Sequence, residues 1–211
     1  MRLLEIDEPR AGGYSLEDGE RGVLLGRSGA GKTQVLKQAL GLTGSVLSRR
    51  GSPLAATCAY VPQTDGVFLD LTALENLTEP DRHLPALPAS HARDWLDLVG
   101  MGEFVDVATH ELPVSQRRRV SLARALSRER PVLIIDGELD PTLSTLLPTL
   151  LDTVPHLCSI LTTSCVADTY TWGADLVGLV DERRVIARGT MAALAESLDP
   201  DVRSALAWTM P

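Results

Sequence analysis

The chain has 211 residues, 44% of them hydrophobic and 23% charged, enough apolar content to bury one compact domain with room for a small subdomain or insertion. Its net charge of −8, with basic residues scattered along the chain, argues against a dedicated nucleic-acid surface. No apolar run approaches the ~20 residues of a membrane-spanning helix, and the N-terminus reads as a strand with interspersed acids, not as a cleavable signal. Cys58, Cys158 and Cys165 lie in or beside apolar stretches without metal-ligand spacing. They are expected to be small hydrophobes in a reducing cytosol, with no disulfide and no zinc.

In chain order, Leu3 to Ile6 and Tyr14 to Leu16, separated by the break Arg10-Ala11-Gly12-Gly13, predict a small antiparallel sheet,. It feeds a buried strand at Gly22 to Leu25. A Gly-rich loop follows, and Thr33 to Leu40 carries apolar residues at helical spacing until Gly41,. Ser45 to Leu47 and Thr57 to Val61 are strand candidates around Arg49-Arg50-Gly51-Ser52-Pro53, the second closing on Pro62-Gln63,. From Leu71 to about Phe104 the pattern turns helical, interrupted by a Pro-rich stretch between Pro80 and Pro88,. A helix from Gln116 to Arg128 and the buried strand Pro131 to Ile135 come next. A strand at Ser159 to Thr162 and a pair at Leu176 to Val180 and Val185 to Ala187 complete the reading,. Strands alternating with helices indicate an α/β fold, a parallel sheet covered on both faces.

The chemistry begins in the loop Gly26-Arg27-Ser28-Gly29-Ala30-Gly31-Lys32-Thr33. Glycines at this spacing let backbone N–H groups point inward at phosphate oxygens, while Lys32 reaches the β and γ phosphates and the Thr33 hydroxyl ligates magnesium. The positive end of the following helix adds attraction. A strand before the loop and a helix after it are the context this motif requires, so the pattern predicts ATP with Mg2+. Asp136 ends the apolar run Val132 to Ile135. A carboxylate at the C-terminal end of a buried parallel strand, beside the phosphate loop, is placed to hold that magnesium through water.

Further matches follow in order. Ala59-Tyr60-Val61-Pro62-Gln63 resembles the strand and Q-loop of the ATP-binding cassette (ABC) ATPases, and Phe68 to Leu77 resembles the segment opening their helical subdomain. His110 to Gln116 and the run Arg117 to Leu126 are similar to the signature motif and its helix, Leu139-Asp140-Pro141 to the D-loop, and Gly189-Thr190 to the usual C-terminal stretch. The likeness spans nearly the whole chain. It implies a P-loop NTPase fold of the ABC ATPase type: a mostly parallel sheet flanked by helices, a small N-terminal antiparallel β subdomain and an inserted helical subdomain. Residues 1–211 would form a single domain, with 1–70 and 129–211 as catalytic core and β subdomain, and 71–128 as helical subdomain and signature helix. The resemblance also implies Gln63 as a catalytic residue and as a magnesium ligand with Thr33 and Asp136, and Ser115 and Gln116 as signature residues serving a partner's ATP. The partners it implies are a second ABC ATPase subunit, identical or different, and permease transmembrane subunits. It places the chain in the cytoplasm, peripheral on the inner face of the membrane.

The departures are equally specific. Leu112-Pro113-Val114-Ser115-Gln116 stands where the family reads Leu-Ser-Gly-Gly-Gln; Pro113 has no N–H and Val114 is bulkier than glycine at a close approach. Gly137 stands where the family has the Glu that polarises water, with Glu138 one residue later. A one-residue shift in extended chain points a side chain to the opposite face, so Glu138 is either a shifted catalytic base, if the backbone bends at Gly137, or a surface residue. The switch histidine is replaced within Leu161-Thr162-Thr163-Ser164-Cys165, and no aromatic residue for adenine is evident near Arg10 and Ala11. Tyr14 comes too late and reads as core. These losses predict retained triphosphate binding with slow or absent turnover. The leading expectation is the nucleotide-binding subunit of an ABC transporter, driving or regulating a permease by ATP-dependent dimerisation. An ABC-like ATP-sensing switch that moves no substrate is the alternative. A P-loop kinase of small molecules explains the loop and Asp136, but not Gln63, the Gln116 helix or Leu139-Asp140-Pro141.

Overall fold

The computed structural model describes residues 2–6, 14–40, 57–64, 66–79 and 86–210. The expected Arg10 to Gly13 break, the Ser45 to Leu47 strand, the turn at 49–53 and part of the Pro-rich stretch lie outside the described residues. Two compact units make up the chain, Met1–Cys58 with Arg130–Pro211, and Ala59–Glu129.

In the first unit β1 (Arg2–Ile6) and β2 (Tyr14–Glu17) pair antiparallel, with Ile6 opposite Tyr14. The main sheet there runs β5 (Val132–Ile135), β6 (Ser159–Ser164), β3 (Arg21–Leu25), β7 (Leu176–Asp181), β8 (Arg184–Gly189). The first four strands are parallel, and β7–β8 is an antiparallel hairpin. Val23, Leu24, Leu133, Ile134, Leu161 and Val177 are completely buried, as strands sandwiched between two helical layers must be. Tyr14 is also fully buried, and its hydroxyl donates to the carbonyl of Leu176 at 3.3 Å. Gly22 makes the room: a Cβ there would collide with the Tyr14 hydroxyl and the Leu16 side chain.

The loop after β3 leads into α1 (Lys32–Ala39). Asp140 caps α5 (Pro141–Thr153), accepting hydrogen bonds from the N–H groups of Thr142 at 2.9 Å and Leu143 at 3.0 Å, and Pro141 takes the first helical turn,. This helix carries Leu143, Leu147 and Leu150 into the core despite the internal Pro148. Three short helices, α6 (Thr169–Trp172), α7 (Met191–Ala195) and α8 (Pro200–Ala207), complete the unit.

The strand β4 (Cys58–Val61) crosses the boundary in sequence. The second unit then holds α2 (Ala73–Thr78), α3 (Ala89–Leu98) and α4 (Val114–Leu126). A capping box opens α2: the Thr72 hydroxyl accepts from the Glu75 N–H at 3.1 Å while the Glu75 carboxylate accepts from the Thr72 N–H at 2.8 Å,. The buried Asn76 amide donates to the carbonyls of Phe68 and Thr72, each at 3.0 Å, which fixes the segment leading into α2. Helix α4 begins at Val114, earlier than the expected Gln116, because Pro113 suits the N-cap, where no intrahelical N–H is required,. It ends at Leu126, short of the expected Arg128. Among the described residues no helix is long and apolar enough to cross a membrane.

Candidate nucleotide site

Parallel pairing fixes the site. Leu25 lies opposite Ser164, and Ile135 opposite Thr162, so the Gly-rich loop, Asp136 and the segment after β6 emerge at one carboxyl edge of the sheet, where α/β proteins bind ligands. The loop is fastened at several points. The Gly26 N–H donates to the Ser164 carbonyl at 3.2 Å, and the Arg183 N–H in the β7–β8 turn donates to the Ala30 carbonyl at 2.7 Å. Arg27 forms an exposed ion pair with Asp181 at 3.5 Å. Gly29 and Gly31 hold φ of 82° and 93°, a region that residues with a Cβ adopt only at a cost, so the loop's curl requires glycine there.

Lys32 and Thr33 open α1, whose first N–H groups have no carbonyl one turn back,. The Lys32 ammonium donates to the carbonyls of Gly26 at 2.5 Å and Arg27 at 3.0 Å. Burial lowers its pKa, while the charges of Cys165, Glu138 and Asp136 act in the opposite direction,. The Thr33 hydroxyl donates to Asp136 Oδ1 at 3.0 Å. These are hard oxygen donors, side by side at the mouth of a phosphate loop. They fit Mg2+, which takes one or two carboxylates along with phosphate oxygens and water.

Asp136 is 1% exposed. The buried Thr163 hydroxyl donates to the same Oδ1 at 3.1 Å and accepts from the Gly137 N–H at 2.7 Å. Gly137 has φ of 95°, and this left-handed turn is the bend on which the reading of Glu138 depends. Past it, Glu138 accepts a hydrogen bond from the Cys165 thiol. That bond, then burial, then the charge of Glu138 raise the thiol's pKa, while Lys32 lowers it, so the thiol stays protonated as a donor. Cys165, read from sequence as a small hydrophobe, is thus a polar partner of the shifted carboxylate.

The structure therefore gathers Gly26 to Thr33, Asp136 and Glu138 within the first unit. Gln63 is exposed just beyond β4, in the second unit. Also in the second unit, Ser115 is exposed and Gln116 half-buried in the first turn of α4. Sequence reasoning gave no role to Thr163, which anchors Asp136, or to the Arg183 N–H. The signal for Thr163 was a hydroxyl on an otherwise apolar buried strand, a group that needs a partner.

Strand, glycine loop and helix, with a strand-end aspartate bonded to the loop threonine, define a P-loop nucleotide-binding protein. The ABC transporter family profile matches residues 13–140, and the chain belongs to that family. It is 26% identical over 202 residues to a thiamine import ATP-binding protein of Haemophilus influenzae, covering 90% of this chain and 94% of that protein. It is 37% identical over 175 residues to a taurine import ATP-binding protein of Mesorhizobium japonicum, covering 74% and 67%. A Nod factor export ATP-binding protein of Burkholderia lata is 32% identical over 201 residues, and the chain spans 66% of its length. Among solved structures, cbiO1 of Clostridium perfringens, part of the ABC transporter complex cbiONQ, superposes with a TM-score of 0.71 at 22% identity, covering 92% of this chain and 89% of that one. An ADP-bound cassette of an ABC transporter gives 0.74 at 17% identity, covering 98% and 99%.

Proposed function

We propose that the chain is the nucleotide-binding subunit of an ABC transporter, working at the cytoplasmic face of the membrane beside a second ABC ATPase subunit and permease subunits, and that it hydrolyses ATP with Glu138 as a shifted base. The carrying observation is the left-handed Gly137 followed by Glu138 turned onto Cys165, beside the strand-end Asp136 that bonds the loop Thr33.

In this reading the loop N–H groups and Lys32 bind the β and γ phosphates, the ammonium exchanging the Gly26 and Arg27 carbonyls for phosphate oxygens,. Thr33 and Asp136 would hold Mg2+, and the ion would supply neutralisation of phosphate charge. Glu138 accepts a hydrogen bond from water, orients it at the γ phosphorus and takes its proton as the bond to the leaving oxygen breaks. Ser115 and Gln116 serve a partner's nucleotide from the start of α4. Pro113 and Val114 make that service weaker, and turnover slow.

The test is ATP binding and hydrolysis by the chain with its co-purifying membrane partner, beside Lys32→Ala and Glu138→Gln. Binding lost in the first variant, with turnover lost by ~10²-fold or more and binding kept in the second, is the expected result. Binding without turnover in the unaltered chain refutes the base and makes this a regulatory subunit dependent on another ATPase.

A further inference from the structure

We infer that Cys165 is a positioning residue for hydrolysis, its thiol standing in for the missing switch histidine as the donor that holds the displaced Glu138 carboxylate in the nucleotide site. The inference rests on the reading of Glu138 as base.

Read separately, the two departures each look like a loss. In the structure they meet. Gly137 adopts φ of 95°, its N–H is tied to Thr163 Oγ1 at 2.7 Å, and that hydroxyl is tied in turn to Asp136. The bend is therefore anchored in the buried floor of the site. It delivers Glu138, which is otherwise exposed, to the end of β6. An exposed carboxylate on a mobile side chain is a poor base, because holding it in one rotamer costs entropy and water competes for its oxygens.

The group that receives it is specified by its neighbours. Ser164, the residue before Cys165, is engaged elsewhere: its Oγ donates to the Val166 carbonyl at 2.7 Å and accepts from the Val166 N–H at 3.1 Å. The Thr163 hydroxyl is buried and already engaged with Asp136 and Gly137. Cys165 remains, half-buried at the strand end, its thiol bonded to Glu138 Oε1. A thiol needs no charge for this task. It offers one donor, and one donor to one carboxylate oxygen fixes the side chain while leaving the second oxygen for water.

The experiment compares steady-state ATP hydrolysis and ATP affinity of the permease-bound complex carrying Cys165→Ala, Cys165→Ser, Glu138→Gln, or Cys165→Ala with Glu138→Gln. Cys165→Ala should lower kcat about 10-fold or more, as a loosened catalytic group does, with ATP affinity and melting temperature unchanged. Cys165→Ser, which keeps a donor at the same place, should restore most of the rate. The double variant should be no slower than Glu138→Gln alone, because a positioning residue has nothing left to position. Wild-type kcat in Cys165→Ala, an equal loss in Cys165→Ser, a parallel loss of affinity, or losses that multiply in the double variant each overturn the inference. If Glu138→Gln still abolishes turnover in those cases, the base stands without its positioner. Unchanged turnover in Glu138→Gln, or none in the wild-type complex, removes the base and this inference together.

Discussion

Replacing Thr163 with valine tests whether the floor of the nucleotide site is a structural polar cluster. The two side chains have nearly the same shape, so the change removes a hydroxyl with little change in packing. That hydroxyl is in a strand residue 1% exposed and makes two bonds at once, donating to Asp136 Oδ1 at 3.1 Å and accepting from the Gly137 N–H at 2.7 Å. A hydrogen bond to a charged group contributes about 1.5–3 kcal/mol, and a buried N–H left without a partner costs about 1–3 kcal/mol. The two are not independent, so a loss on the order of 3 kcal/mol is expected. For a chain of this length that corresponds to a melting temperature lower by about 6–12 °C. The assay is urea and thermal unfolding followed by tryptophan fluorescence, with exposed Thr145→Val as control, expected within about 0.5 kcal/mol of wild type,. A Thr163→Val variant no less stable than Thr145→Val would refute the reasoning, since it would mean that water reaches Asp136 and Gly137 as readily as the hydroxyl does.

Gly137→Ala imposes a Cβ at φ of 95° and should cost about 1–3 kcal/mol of stability; by withdrawing Glu138 it should also lower ATP turnover more than ATP affinity, read from hydrolysis and titration on one preparation. Gly22→Ala sets a methyl against the Tyr14 hydroxyl and Leu16 inside the sheet, with an expected loss of about 1–3 kcal/mol by urea unfolding. Adding Tyr14→Phe should return part of that loss, and a lower stability still would contradict the clash. Bonds from the backbone N–H and then the hydroxyl of Thr72 hold the Glu75 carboxyl below its ordinary range. A depressed carboxylate contributes stability above its unfolded pKa and loses it as pH falls through the folded one. The stability difference between wild type and Glu75→Gln should therefore be present at neutral pH and shrink toward zero in the acid range. A difference that is constant with pH would show that the capping box is not the cause.

Much of the site was legible because it is local. The loop from Gly26 to Thr33 carries its own glycine spacing, the buried run Val132 to Ile135 announces a strand, and the residue after that run was therefore placed at a strand end. Helix α5 is the exception among the local signals: Leu143, Leu147 and Leu150 have helical spacing and Asp140-Pro141 is a start signal, but Pro148 interrupts the pattern and only packing on the core holds the helix through it,. The start of α4 at Val114 is less legible, because Pro113 reads equally as a defect in the signature and as a cap,.

Glu138 marks the boundary between the two kinds of knowledge. Chain order and residue type determined that this is a P-loop protein of the ABC type, that its phosphate loop is complete, and that glutamate and histidine are absent from their usual places. They left open whether Glu138 faces the site or the solvent, because that turns on one backbone dihedral and on residues 27 positions apart. What the packed sheet adds is the surroundings of that residue: parallel register of β5, β6 and β3 brings Thr163 to Asp136 and Gly137, the bond to Thr163 fixes the bend, and the bend gives the exposed Glu138 to Cys165. A hydrogen bond between distant segments has no local signature, since each partner's residue type is compatible with many others and only the packed sheet selects the pair.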